Sequence, residues 1–224
     1  MNIITDINQV VEYLNNNVNW IENQSKYRIL ESDSSIKAIT NVPVIMYEDL
    51  SYKKYSSPIE QNSSNNSEFI RLLQEAFDYF HNFLSTENEK LFRYNHCYEN
   101  ALAVFKSFEN PGFKEKILVT SPEKICFGYI SKKIKQRSLL NDLVIDIEDL
   151  VIHDWHVWNK INDFLIDLSI QKDVDFPIYD QSQLEWKEAQ DHIFKDPPEN
   201  IEYFGKDFVS VEEFQSLIKE VLNL

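Results

Sequence analysis

The sequence predicts an α+β protein, because segments with helical periodicity lie on both sides of a group of segments with strand character. Apolar residues recur at helical spacing from Ile7 to Leu14, and a second amphipathic pattern closes the chain after Ser210. The middle of the chain carries short β-branched segments separated by polar ones, which favours an antiparallel or mixed sheet over βαβ repeats. The sequence contains no internal repeat of the kind that would predict a solenoid.

The first 90 residues are expected to be mainly helical. Thr5 is placed to cap the opening helix, and the apolar stripe from Phe69 to Leu84 predicts a second, longer helix. Residues 56–67 are almost free of apolar side chains and predict a polar loop. We therefore expect a helical N-terminal region over 1–90 and a core over 91–224.

The core is expected to open with a helix from His96 to Phe108 and to continue with strands. The segments with strand character are 116–120, 125–130, 143–147, 150–158 and 164–169. A connection over 159–163 is expected between the last two. Ser210 and Glu213 have capping-box spacing ahead of a terminal helix, and Val209 is placed to pack against Phe214.

Charge and composition exclude several classes of function. The 22 basic and 37 acidic residues give a net charge of -15, which repels nucleic acid and anionic lipid but attracts a basic protein partner. Only three glycines occur in 224 residues, which excludes Rossmann and P-loop nucleotide sites. No leader or membrane span is predicted, so we expect a cytoplasmic protein, with leaderless export left open.

The two cysteines are expected to be free thiols with different roles. Cys126 lies inside an apolar strand and is predicted to be a core residue. Cys97 lies at the start of a predicted helix, where the helix dipole and unpaired N–H groups favour a thiolate and can bind an oxyanion. Cys97 is therefore the candidate nucleophile.

A base and a carboxylate follow Cys97 in the chain. His156 lies near the end of a predicted strand, and a hairpin into the next strand would place Asp167 on the same face. This arrangement predicts a Cys-His-Asp triad in which the carboxylate orients the imidazole. Asp154 and Asp163 are alternative carboxylates.

These residues resemble the landmarks of papain-like and transglutaminase-like cysteine hydrolases, most closely bacterial members. Across Asn95 to Ser169, the landmarks are Cys97-Tyr98-x-Asn100-Ala101, Gly128-Tyr129, His156-x-Trp158 and Asp167-Leu168-Ser169. The resemblance implies Cys97 on a helix packed against an antiparallel sheet, with His156 and Asp167 on neighbouring strands.

Three further residues are candidates for the same site. Asn95 is predicted to cap the Cys97 helix and to be a candidate oxyanion donor, and Trp155 and Trp158 are predicted to pack or to wall the substrate cleft. No metal or other cofactor is predicted, because His153 and His156 would point to opposite faces of a strand.

The sequence therefore predicts a cysteine-dependent acyl-transfer enzyme that acts on an amide of a protein or peptide. Hydrolysis, deamidation and transamidation would use the same residues, so the acceptor stays open. The alternative is a non-catalytic, acidic protein-binding module in which the triad is vestigial.

Overall fold

The computed structural model describes residues 3–17, 26–30, 37–49, 51–55, 71, 97–109, 111, 122–134, 138–140, 143–162, 164–167, 169, 193–194 and 200–222. Several predictions lie outside these residues: the loop over 56–67, the strand over 116–120, the capping residue Asn95 and the alternative carboxylate Asp163. The helix predicted from Phe69 to Leu84 also lies outside them, apart from residue 71.

The described residues form an α+β fold with a mixed sheet, which confirms the predicted class. The helices are α1 (Ile7–Asn17), α2 (Val44–Glu48), α3 (Cys97–Ser107) and α4 (Val211–Leu222). The strands are β1 (Ile3–Ile4), β2 (Arg28–Ile29), β3 (Lys37–Thr40), β4 (Lys53–Lys54), β5 (Lys124–Ile134), β6 (Ser138–Leu140), β7 (Leu143–Ile145), β8 (Leu150–Ile161), β9 (Phe164–Ile166), β10 (Ile193–Phe194) and β11 (Ile201–Phe208).

The main sheet has the strand order β10-β9-β8-β5-β11-β4. β5 pairs antiparallel with both β8 and β11, and β3 pairs parallel with the first residues of β8. A smaller sheet has the order β1-β7-β6. The main sheet is mixed because β3, from the N-terminal part of the chain, is its parallel member.

Two helices cover one face of the main sheet. Alternate residues of β5 and β8 join one apolar cluster with residues of α3 and α4; its members include Cys97, Ala101, Phe105, Ile125, Phe127, Trp155, Val157, Phe214 and Ile218. The helical spacing of the apolar positions in α3 and α4 allows each helix to bury one stripe against the pleated strands. A second cluster, around Val10 and Leu14 of α1, packs near the start of β8.

The hairpin between β8 and β9 is tighter than predicted. Strand β8 continues to Ile161, so the connection occupies only 162–163 instead of 159–163. Asn162 has φ of 52°, a left-handed conformation that asparagine tolerates better than most residues. The end of β8 was predicted too early because Asn159 and Lys160 are polar residues typical of loops, although both pair with β9.

Several strands were not predicted from the sequence, among them β3, β4 and β11 of the main sheet. β3 and β4 come from the region expected to be helical, and β11 comes from a segment to which no element was assigned. β3 and β4 have four and two residues, too short for a periodic pattern to appear. In β11 buried and half-buried residues alternate over the first six positions. The charged residues Glu202 and Lys206 make the segment look like a polar loop in the sequence.

The terminal helix α4 begins largely as predicted. The Ser210 Oγ accepts a hydrogen bond from the Glu213 backbone N–H at 3.3 Å, as the capping-box spacing indicates. The predicted packing of Val209 is wrong, because this side chain is 57% exposed. The ring of Phe208 lies near Phe214 instead, with 6.2 Å between the centroids.

The fold has no membrane-spanning candidate among the residues described: none of their helices has the length and apolar character that crossing a bilayer requires.

Candidate active site

Cys97 is the first residue of α3, and its side chain is 8% exposed. The face that it shares with Ala101, Val104, Phe105 and Phe108 is buried, as the helical spacing predicted. Both cysteines are free thiols, which confirms that prediction. Cys97 is nearly closed off from solvent because it lies on the apolar stripe by which α3 packs against the sheet.

His156 and Asp167 form a buried hydrogen-bonded pair. The distance between His156 Nε2 and Asp167 Oδ2 is 2.7 Å, and the residues are 7% and 1% exposed. β9 pairs with the end of β8 so that Ile166 lies opposite Asn159. Continuing this register by one residue places Asp167 opposite Trp158, on the same sheet face as His156. The hairpin thus positions the carboxylate.

Cys97 reaches His156 beside an open stretch of β8. β3 pairs with β8 at Leu150 to His153, and β9 pairs with it at Asn159 to Ile161, so the stretch from Asp154 to Trp158 lies between them. The Cys97 side chain lies near enough to His156 in this interval to contribute to the raised pKa of the imidazole. Because His156 Nε2 faces Asp167, Nδ1 is the ring nitrogen left for the sulfur.

The carboxylate of Asp167 accepts three hydrogen bonds. Oδ2 accepts from His156 and, at 2.8 Å, from the hydroxyl of Tyr203, while Oδ1 accepts from the backbone N–H of Ser169 at 3.0 Å. The donors come from β8, from β11 and from the turn that follows β9. A buried carboxylate with three donors has one fixed orientation.

The charges of the site favour an imidazolium. Burial acts to lower the pKa of His156, but the negative charges of Asp167 and Cys97 and their hydrogen bonds outweigh it and raise the pKa to about 10. Burial acts to raise the pKa of Asp167, yet His156, Tyr203 and the Ser169 N–H hold that pKa below its ordinary value. The pair is therefore ionised at neutral pH.

Two buried asparagines attach α3 to the strands of the site. The Asn100 side chain, one turn after Cys97, donates to Ser169 Oγ at 2.8 Å. The Asn159 side chain, on β8, donates to the backbone carbonyl of Ala101 at 3.0 Å. These bonds fix the helix that carries Cys97 relative to both the turn that follows β9 and the strand that carries His156.

The Trp158 indole packs against the His156 ring. It is fully buried and stacks on the imidazole, with 6.1 Å between centroids and 19° between planes. The indole needs Gly205 opposite it, since a Cβ there would lie 2.6 Å from the ring. Gly128, directly opposite His156, is also required, because a Cβ would lie 1.8 Å from the backbone oxygen of Phe204. The glycines thus allow close packing beside the imidazole.

The remaining predicted residues take other places. Trp155 lies on the opposite face from His156 and is 6% exposed, and Trp158 is fully buried, so both indoles pack within apolar clusters. Asp154 is bound by Tyr27, Asn41 and Lys132 instead of His156.

His153 and the second cysteine, Cys126, lie apart from the site. The ring of His153 lies beside the rings of Tyr47 and Tyr129, on the face opposite His156. Cys126 is fully buried, and burial followed by the charge of Asp207 raises the pKa of its thiol. In the part of the chain that the structure describes, no His, Cys, Asp and Glu side chains cluster as a metal site would require.

Sequence reasoning missed Tyr203, Ser169 and the anchoring role of Asn100. Ser169 and Asn100 stand within the landmark segments, so the motif contained them without showing their contacts. Tyr203 lies 36 residues after Asp167, in a segment to which no strand was assigned. The alternation of Ile201, Tyr203 and Gly205 was the one available sign of a half-buried strand.

Comparison of this chain with protein families, with curated proteins and with solved structures found no match. Any functional conclusion therefore depends on the geometry of the site.

Proposed function

We propose that the protein is a cysteine-dependent acyl-transfer enzyme with Cys97 as nucleophile, His156 as acid and base, and Asp167 as the residue that orients His156. The observation that carries the proposal is the buried His156–Asp167 pair, 2.7 Å apart, together with a Cys97 side chain near enough to contribute to the raised pKa of His156. Buried charges are expensive unless they are paired, so such an arrangement is unusual in a core without a function.

In the first half of the reaction, the Cys97 thiolate attacks the carbonyl carbon of an amide and forms a C–S bond. The first-turn N–H groups of α3 lie beside the sulfur and supply donors for the oxyanion. The His156 imidazolium gives its proton to the leaving nitrogen, the C–N bond breaks, and a thioester and a free amine result.

In the second half, neutral His156 removes a proton from the acceptor, which attacks the thioester carbon. The C–S bond breaks, the thiolate returns to Cys97, and His156 is again an imidazolium. Water as acceptor gives hydrolysis, or deamidation if the substrate is a glutamine side chain. An amine as acceptor gives an isopeptide bond. We propose a protein or peptide amide as the substrate, and the acceptor determines the product.

The reactivity of the two thiols tests the proposal. We expect iodoacetamide to alkylate Cys97 at about pH 6 at least roughly tenfold faster than Cys126, because Cys97 has the His156 imidazolium beside it, whereas burial raises the pKa of the Cys126 thiol. Cys126 is an internal control, since it is fully buried without a histidine partner. Mass spectrometry of the two cysteine peptides measures each rate separately.

His156→Ala is expected to abolish the faster alkylation of Cys97 relative to Cys126. His153→Ala, on the opposite face of β8, is expected to leave the ratio of the two rates unchanged. Equal and slow labelling of both thiols in the unmodified protein would contradict the enzyme and favour a non-catalytic acidic module that binds a basic partner. Circular dichroism confirms that each variant is folded.

A further inference from the structure

We propose that Tyr203 is a positioning residue of this site, which holds the carboxylate of Asp167 in the orientation and charge state that His156 requires. The inference rests on the proposed function, because it assigns a role relative to the Cys97–His156 pair. The juxtaposition that carries it is the Tyr203 hydroxyl bound to the same carboxylate oxygen as His156 Nε2.

The hydrogen-bond geometry distinguishes Tyr203 from a simple packing residue. Its hydroxyl and the imidazole both donate to Oδ2 of Asp167, at 2.8 and 2.7 Å, while the backbone of Ser169 occupies Oδ1. Asp167 is only 1% exposed, so a lost donor is not readily replaced by solvent. Without the phenol, the imidazole would be the only donor to Oδ2 among the described residues. The carboxylate would then be less stable as an anion and freer to turn about its bond.

The fold brings Tyr203 to Asp167 across two intervening strands, β5 and β8. Tyr203 of β11 lies opposite Ile130 of β5, which lies opposite Asp154 of β8. The ring centroid of Tyr203 lies 5.1 Å from that of Trp158 and 6.4 Å from that of His156. The absence of a side chain at the next inward position of β11, Gly205, gives the Trp158 indole the space in which it meets the tyrosine ring.

The charge state of the phenol suits this role. Burial, followed by the negative charge of Asp167, raises the pKa of Tyr203 well above its ordinary value, so the hydroxyl keeps its proton and remains a donor throughout the working range of pH. In return, the hydroxyl contributes to the lowered pKa of Asp167. An ionised Asp167 in turn favours the cationic form of His156.

The same face of the sheet offers a matched control. The hydroxyl of Tyr55 donates to the carboxylate of Asp207, and the Tyr55 ring packs on Trp158 at 5.4 Å between centroids. Tyr55 thus has the same chemical pairing and the same neighbour as Tyr203. No hydrogen bond among the described residues connects its carboxylate to His156 or Cys97, so Tyr55→Phe removes an equivalent hydroxyl away from the site.

The test is the pH profile of Cys97 alkylation in the full chain carrying Tyr203→Phe or Tyr55→Phe. For Tyr203→Phe we expect the rate near pH 7 to fall about three- to tenfold. We also expect the acid limb of the profile to move up by about one pH unit, because Asp167 loses a donor to its charged form. Tyr55→Phe is expected to keep the profile of the unmodified protein.

A Tyr203→Phe profile that superimposes on that of the unmodified protein would overturn the inference, and so would an equal change in Tyr55→Phe. If Tyr203→Phe does not fold, proton NMR of the unmodified protein decides: a slowly exchanging Tyr203 hydroxyl proton supports the inference, and its absence overturns it. Failure of the proposed function would give a different result: Cys97 of the unmodified protein would then react no faster than Cys126.

Discussion

At the scale of single residues, His156 shows how two opposing effects decide a charge state. Burial of the imidazole disfavours the cation, but one carboxylate at 2.7 Å and one sulfur partner are enough to raise the pKa to about 10. His153 is only half-buried, yet burial lowers its pKa. His156 is the more deeply buried of the two but has the raised pKa, so its charged partners decide its charge state.

This charge state predicts how stability depends on pH. The folded pKa of His156 is above its unfolded value of 6.5, so its contribution is complete below pH 6.5 and is lost as the pH rises through about 10. The difference in unfolding free energy between the unmodified protein and His156→Gln should therefore shrink from pH 6.5 upwards. Urea denaturation across this range measures it.

His153→Gln is the matched control with the opposite sign. Its folded pKa is lowered, so the contribution of His153 is present above its unfolded pKa and is lost as the pH falls through 6.5 towards the folded value. A His156→Gln difference that stays constant between pH 6.5 and 10 would show that the imidazole is not cationic in the folded protein.

Residue chemistry could be predicted from the sequence better than residue contacts. Cys97, His156 and Asp167 carry recognisable reactive groups in a recognisable order, and the structure brings these three together. Tyr203 carries no such mark, because a tyrosine in a half-buried strand is ordinary. Its contact with Asp167 depends on how β11 pairs with β5, which no local pattern shows.

At the scale of elements, the placement of α3 depends on hydrogen bonds to its first turns. Asn159 is 1% exposed and binds the carbonyl of Ala101, while Asn100 binds Ser169. Helix packing by apolar side chains alone tolerates small shifts along the axis, whereas these directional bonds do not. The asparagines therefore set the position of the Cys97 sulfur relative to His156.

Asn159→Ala is predicted to destabilise the protein by about 1 to 3 kcal/mol, because it leaves the buried carbonyl of Ala101 without this donor. It should also slow alkylation of Cys97, since α3 loses its direct bond to β8. Asn8→Ala, in the exposed face of α1, is the control and should change the free energy of unfolding by less than about 0.5 kcal/mol. Equal effects of the two changes in urea denaturation would contradict the anchoring role.

The elements themselves were predictable where the pattern is long. α1, α3 and α4 follow clear apolar stripes, and the cores of β5 and β8 follow their β-branched content. The boundaries were less predictable, because the polar residues Asn159 and Lys160 extend β8 through pairing with β9. Tertiary pairing, rather than local propensity, ends this strand.

At the scale of the whole molecule, the main sheet joins parts of the chain that are far apart in sequence. β3 and β4 come from the first 55 residues, and β11 comes from the last 25, yet all three belong to the main sheet: β3 pairs with β8, β11 pairs with β5, and β4 pairs with β11. The α+β class follows from the order of elements, but such long-range pairing does not, since two to four residues cannot specify a register alone. The site is built on β8, which pairs with the early strand β3 and with the later strand β9 on either side of His156.

The most direct measurement of the central claim is an NMR titration of the His156 ring nitrogens in the unmodified protein and in Cys97→Ala. The ring of His156 should remain an imidazolium through neutral pH and titrate near 10, and Cys97→Ala should lower that pKa because the sulfur charge is removed. A His156 that titrates near 6.5 and is unaffected by Cys97→Ala would show that the two side chains do not act together, and the proposed enzyme would lose its basis.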